Sequence, residues 1–181
     1  RLDRDTSGVL VVAKSRPALL RAQRAFKHGE ADKRYFALLT GAWRGEDRDV
    51  DTALVRTRIA NGETRVRVAA DDHGEDGKPS KSRFSPKQRY RNSVLCEVMI
   101  FSGRTHQIRV HVAALGHPVA GDDKYGERDV NREFRELGLK RMFLHSHYLL
   151  LPAQGDFRKL LVSAPMTDEL REVLENLPRG R

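Results

Sequence analysis

The chain has 181 residues, 34 of them Lys or Arg against 25 Asp or Glu, for a net charge of +9, and 39% are apolar. That is enough chain for one full-sized domain with its own core, which excludes a disulfide- or metal-stapled miniprotein, and no stretch approaches the ~18 apolar residues needed to cross a bilayer. Cys96 is the only cysteine and there is no secretory signal pattern, so a cytoplasmic protein without disulfides is expected, and the cationic excess points to a polyanion as partner, nucleic acid first.

The apolar run 9–13 after Gly8 reads as a buried strand. Ser15 then supplies an N-cap and Pro17 an early helical position, with Leu19, Leu20 and 22–26 as the helical face and Gly29 as the stop. A second strand is predicted over 33–40, and 50–69 is strand-like around Asn61-Gly62, the strongest short hairpin signal in the chain. The acidic, Gly-rich stretch 71–79 reads as a solvated connector. Segments 82–90 and 94–101 form a further hairpin, 104–115 a helix ended by Gly116, and 128–137 a charged helix. Strands over 142–151 and 159–163 precede a last helix capped by Thr167, with Leu170, Val173, Leu174 and Leu177 as its apolar stripe. These elements imply an α+β fold with a mixed, largely antiparallel sheet flanked by helices.

Several chemical signatures fail on inspection. Asp3, Asp5, Ser7 and Gly8 match the first half of a calcium loop, but its twelfth position is Lys14, a cation where a bidentate carboxylate belongs. His106 and His111 are five apart and so not on one helical face, and His145 and His147 have no Cys or clustered carboxylates nearby, so no metal site is expected. Cys96 lies in the apolar run 94–100 and reads as a buried hydrophobe. No phosphate-cradling glycine loop occurs.

Two polar clusters remain. In the segment 1–8, RLDRDTSG, Asp3 stands between Arg1 and Arg4 at the start of an apolar run, more cation than a turn needs, so its carboxylate is held ionised. In 103–111, GRTHQIRVH, Arg104 falls where a strand end meets a helix start, a junction at which sites are often built.

Together with 33–37, KRYFA, and Leu144-His145, and in this order along the chain, these clusters resemble the four signatures of the RluA family of pseudouridine synthases. The stretch 122–126, DDKYG, with the charged helix after it, is most similar to family members acting on large-subunit ribosomal RNA, a tRNA-directed member being the alternative. The resemblance implies the pseudouridine synthase catalytic fold over 1–181, a fragment lacking the family's N-terminal strands and any S4-like RNA-binding domain. It implies isomerisation of uridine in RNA without a cofactor, with no membrane, and a monomer is expected. By resemblance Asp3 is the essential carboxylate, as nucleophile or base, Arg104 its ion-pair partner within salt-bridge reach, and Tyr35 packs on the uracil and is suited to taking the C5 proton. Arg1 would fill the gap left by the flipped base, and Arg4, His106, Gln107 and Arg109 would contact the RNA. An RNA-binding fragment without turnover is a rival, as is a glycosidase-like hydrolase, which would want a second carboxylate where only Asp5 is near.

One expectation owes nothing to the family. A two-residue turn at Asn61-Gly62 places Arg58 opposite Arg65 and Arg56 opposite Arg67, all four on one face, with Val55, Thr57, Ile59, Thr64, Val66 and Val68 on the other. Like charges directly opposite destabilise a hairpin, so four together suggest a surface for RNA phosphate.

Overall fold

The computed structural model describes residues 1–58, 64–69 and 77–180. In chain order the elements are β1 (Ser7–Gly8), α1 (Arg16–Lys27), β2 (Asp32–Thr40), β3 (Arg48–Arg58), β4 (Thr64–Val68), β5 (Lys78–Arg89), β6 (Ser93–Ile100), α2 (Gln107–Ala114), α3 (Arg128–Glu136), β7 (Leu144–Leu151), β8 (Leu160–Ser163) and α4 (Asp168–Asn176). The strands form one sheet in the order β1-β7-β2-β6-β5-β3-β4, with β8 also on β7; every pairing is antiparallel except β1 with β7. The expected mixed, largely antiparallel sheet flanked by helices is what the chain forms.

Both faces of the central strands are covered, which is why 36–39, FALL, reads as a continuous apolar run rather than an alternating one. Ala37 and Leu39 of β2 point with Val94, Cys96 and Val98 of β6 toward Ile108 and Val112 of α2. Leu38 and Leu95 point the other way, into a core with Phe134 of α3 and Leu170 and Val173 of α4. A third cluster lies under α1, where Ala25 meets Leu149 and Leu151 of β7. Burial pushes the Cys96 thiol up to about 12, so it behaves as a core hydrophobe.

Four local expectations need correction. The strand predicted over 9–13 is confined to Ser7–Gly8, because beyond Ser146 the same edge of β7 is taken by β8; Leu10 and Val12 are left exposed while Val9 is buried. The helix predicted from Arg104 starts at Gln107, since His106 has φ +55 and cannot continue a right-handed turn. Thr167 stands at the N-cap of α4, but its hydroxyl makes no cap bond and accepts from Arg141 at 3.3 Å.

The fourth is the register of the β3–β4 hairpin. Leu54 pairs with Val68, Arg56 with Val66, Thr57 with Arg65 and Arg58 with Thr64, one residue off the expected register. Arg56 and Arg58 therefore share a face with Val66, whereas Arg65 and Arg67 share the other with Val55 and Thr57, and the four-arginine face does not form. The core decides this: Leu54 and Val66 are buried together against Val110 of α2, and a one-residue slip would turn Val66 away from it. The proposed Asn61-Gly62 turn, Ile59 and most of the acidic connector lie outside the described residues.

Candidate active site

The first polar cluster is a tight turn locked onto β7. Thr6 N–H donates to the Asp3 carbonyl at 3.1 Å, Asp5 takes a left-handed φ of +67, and the chain then pairs Ser7 with His145 and Gly8 with Ser146. Only glycine fits at position 8, because φ is +112 and a Cβ would lie 2.0 Å from the Ser146 carbonyl oxygen. His145 Nε2 lies 3.1 Å from the Ala164 carbonyl, which can only accept, so Nδ1 is the acceptor for the Ser7 hydroxyl at 2.8 Å. Arg141 holds the turn from the α4 side, donating to the Asp5 carbonyl at 3.1 Å and Ser7 Oγ at 2.9 Å while pairing with Glu169. The backbone of the turn that carries Asp3 is thus fixed by groups that do not touch its carboxylate.

The second cluster is fixed by a buried chain of directed hydrogen bonds. Ser80 donates to the Thr52 carbonyl at 2.7 Å, so its oxygen is the acceptor for His111 Nε2 at 2.9 Å. That leaves Nδ1 of a neutral imidazole to accept from Ser82 at 3.1 Å, and Ser82 Oγ in turn accepts from Gln107 Nε2 at 2.9 Å. Gln107 Oε1 then accepts from the Ser102 hydroxyl and the Arg104 backbone N–H, at 2.8 and 3.0 Å. Burial holds His111 at about 4, which keeps the chain in its neutral form. Gln107 and His111 are one helical turn apart on the face of α2 turned to β5, and this leaves Arg109 on the face turned to Asp3.

Arg109 is the hub. Its Nε and one terminal nitrogen bind both oxygens of Asp122 at 2.7 and 2.8 Å, and its other terminal nitrogen reaches Asp3 Oδ2 at 3.4 Å. The Asp122 side chain is fully buried; burial alone would raise its pKa, but the guanidinium and the backbone N–H groups of Lys124 and Tyr125 hold it below the usual carboxylate range. For Arg109 burial is likewise outweighed, by Asp122 first and then Asp3, so both partners stay charged. Asn131 of α3 anchors this loop, accepting from Gly121 N–H and donating to the Asp122 carbonyl.

Asp3, Tyr35, Arg104, His106 and Arg109 all border one cavity of about 130 Å³, which adjoins a larger one of about 540 Å³ also reached by Arg1 and Lys33. The expected Asp3–Arg104 pair is not formed: Arg104 is exposed and its Nε donates to the Pro79 carbonyl at 3.1 Å, while the ion pair of Asp3 goes to Arg109. The physical reason lies in the late start of α2, which leaves Arg104 in the preceding loop and turns the residue two positions past His106's neighbour Gln107 inward. The Tyr35 phenol is pushed up by burial, lowered somewhat by the Ser146 hydroxyl and raised again by the Asp3 charge. Lys33 is buried, donates to the Ser102 carbonyl at 3.2 Å, and is lowered to about 8 by burial and by Arg104.

Of the remaining expected RNA contacts, Arg1 lies at the rim with its guanidinium 3.5 Å from Thr105 Oγ1, and Arg4 is exposed on the Asp3 turn. Gln107 is buried and fully bonded to protein, so it shapes the site without facing it. Arg56, Arg58, Arg65 and Arg67 lie on the hairpin, whose outer edge is tied to the site loop: Val66 N–H donates to Tyr125 Oη at 3.3 Å and Lys124 Nζ to the Thr64 carbonyl at 2.8 Å. Asp122, Tyr125, Ser82 and Arg141 were assigned no role in the site from the sequence, since nothing in their spacing marks a partner many residues away.

Known proteins carry the same arrangement of segments. The family model described as RNA pseudouridylate synthase matches residues 1–114. The chain is 39% identical to ribosomal large subunit pseudouridine synthase C of Haemophilus influenzae and 40% identical to that of Escherichia coli K12, in each case over 100% of this chain and 55% or 56% of the relative. It thus spans just over half the length of these relatives. Among solved structures it is similar to human RNA pseudouridylate synthase domain containing 1, with a TM-score of 0.82 and 31% identity over 99% of this chain and 72% of that one. Human RNA pseudouridylate synthase domain containing 4, at 22% identity and a TM-score of 0.78, shares the fold. On these matches the chain belongs to the RNA pseudouridylate synthase family.

Proposed function

We propose that this chain carries the active site of an enzyme that isomerises uridine to pseudouridine in RNA, with large-subunit ribosomal RNA as the substrate. The observation that carries the reading is the Asp3–Arg109–Asp122 triad, in which a partly exposed carboxylate at a cavity wall is held by a buried cation with a second, fully buried carboxylate behind it. Asp3 is the group that acts on the sugar, as nucleophile at C1′ or as base toward a sugar proton, and Arg109, which takes the role expected of Arg104, pairs with it and holds it in direction. Asp122 is consumed by its own ion pair, so the cavity offers one acting carboxylate, which disfavours a two-carboxylate hydrolase.

Tyr35 supplies the surface for the uracil ring. Its raised pKa means that it enters the reaction as a protonated phenol. To take the C5 proton it must pass its own proton on, with the Asp3 carboxylate on the same cavity wall as acceptor. Arg1 at the cavity mouth is placed to occupy the space a flipped base leaves. The chemistry is a rearrangement within the substrate and draws on no cofactor.

The ~40% identity to large-subunit ribosomal RNA synthases favours that RNA over tRNA. Incubating the protein with large-subunit ribosomal RNA and, separately, with tRNA, then counting new pseudouridines, tests this. Pseudouridine in the ribosomal RNA alone, abolished by Asp3→Ala, is expected. Product in tRNA alone would move the substrate, and measurable product from Asp3→Ala would remove the assigned carboxylate. RNA binding without product by the unaltered protein would leave the inactive binding fragment.

A further inference from the structure

His106 is one of two non-glycine residues with positive φ among the described residues, and the other, Asp5, is in the Asp3 turn. Strain of this kind persists where the surroundings over-determine it, and at His106 the surroundings are Tyr125. His106 Nδ1 lies 2.8 Å from Tyr125 Oη, and the two rings meet edge to face at 5.5 Å. The phenol oxygen receives Val66 N–H, a group that can only donate, and its own proton has no acceptor but the imidazole among the described residues. Nδ1 is therefore the acceptor, and a neutral ring carries its hydrogen on Nε2.

Tyr125 is itself immobilised. Its N–H donates to Asp122 Oδ1 at 3.1 Å and its ring lies under the Arg109 guanidinium at 5.0 Å. Burial, with Arg109 and Lys124 adding and Asp3 and Asp122 opposing, holds His106 below the ordinary imidazole range, so the neutral form is the one present. Nε2 has no protein partner among the described residues, and the ring borders the 130 Å³ cavity that also holds Asp3 and Tyr35.

We infer that His106 donates Nε2–H to a ring carbonyl oxygen of the target pyrimidine, and that Tyr125 is the positioning residue that fixes this tautomer. The inference rests on the uridine-isomerising reading of the cavity. Whichever role Asp3 takes, the C1′–N1 bond breaks with its electron pair going to the base, and the negative charge spreads over N1 and the two carbonyl oxygens. A fixed neutral donor binds that anion more strongly than the uncharged base, so it favours bond breaking rather than mere binding. Its hydrogen bond also keeps the detached ring in the cavity while it turns.

The test uses large-subunit ribosomal RNA transcripts made with uridine, 2-thiouridine or 4-thiouridine, each tritiated at C5, because sulfur is a poor acceptor and release of tritium reports the reaction in all three. His106→Phe is expected to lower kcat/KM about 10- to 100-fold on the uridine transcript. On the transcript whose thiocarbonyl replaces the bonded oxygen the same variant should cost less than about threefold, which identifies O2 or O4. His106→Gln, with an amide N–H near the Nε2 position, should recover part of the loss. An equal loss on all three transcripts would overturn the donor role. Nitrogen-15 spectra of His106 in the free protein should show the Nε2–H tautomer, giving way to a mixture in Tyr125→Phe; an Nδ1–H tautomer overturns the geometry whatever the activity. No tritium release from the uridine transcript by the unaltered protein would instead refute the isomerase reading and, with it, the carbonyl assignment.

Discussion

The start of α2 borders the cavity, the β3–β4 hairpin is tied to the site loop through Tyr125 and Lys124, and both are rich in Arg, yet they are determined in opposite ways. At α2 the polar groups are buried and each must match its donors and acceptors to fixed partners, so a single arrangement satisfies Gln107, Ser82, His111 and Arg109 together. On the hairpin the arginines are exposed, and the alternation of the sequence suits either of two registers. There the choice falls to two apolar residues, Leu54 and Val66, which must share a face. Buried polar groups specify a geometry that no local pattern announces, whereas a clear local pattern on a surface specifies rather little.

Removing the hub should break the comparison most visibly. Arg109→Met leaves Asp122 buried without its cation and should cost roughly 3 to 5 kcal/mol in a denaturant titration, besides the loss of turnover. Removing a hairpin arginine should stay within about 0.5 kcal/mol. A loss at Arg109 no larger than that on the hairpin would mean that the triad is a surface pair.

The directed bond chain predicts a pH effect. His111 takes a proton at about 4 in the folded protein against an unperturbed 6.5. Between those values the unfolded chain binds the extra proton, so stability is full above 6.5 and falls as the pH drops toward 4. The loss should reach about 3 kcal/mol from this residue, with His106 and His147, also lowered by burial, adding to it. Urea unfolding at pH 7 and pH 4.5 measures it, and His111→Gln should flatten the difference. An unchanged slope in that variant would show that His111 is not the group responsible.

The smallest effect sharpens the hairpin side. Arg56 and Arg58 lie on the face shared with Val66 and α2, so Arg56→Gln with Arg58→Gln should weaken RNA binding roughly evenly across sequences and lower the salt slope by about two at most. Arg65→Gln with Arg67→Gln, on the opposite face, should change the slope less. Equal changes for both pairs would mean that the RNA wraps the hairpin rather than meeting one face.

Much of the fold was legible in the chain itself. The caps and stops of α1, the strand over KRYFALLT and the stripe of α4 follow from local rules, and the helices fall within a few residues of expectation. The short β1 was not legible, because its length is set by where β8 claims the edge of β7, a fact of topology. In the site, Asp3 and Tyr35 come to one cavity as expected. The partner of Asp3 did not come out as expected, since Arg104 and Arg109 sit in the same motif and only the left-handed residue between them decides which one turns inward. Asp122 could not be found from the sequence, as an acid in a Gly/Asp loop looks solvated until the fold buries it.

The central claim is that Arg109, and not Arg104, holds the acting carboxylate, and one measurement addresses it directly: kcat and KM for pseudouridine formation in large-subunit ribosomal RNA by Arg109→Lys and Arg104→Gln. A lysine keeps the charge but cannot span Asp3 and Asp122 together, so kcat should fall at least about 100-fold, an effect of about 3 kcal/mol on the barrier. Arg104→Gln should retain kcat within about threefold and act through KM. The opposite result, turnover lost with Arg104 and kept in Arg109→Lys, would contradict the account.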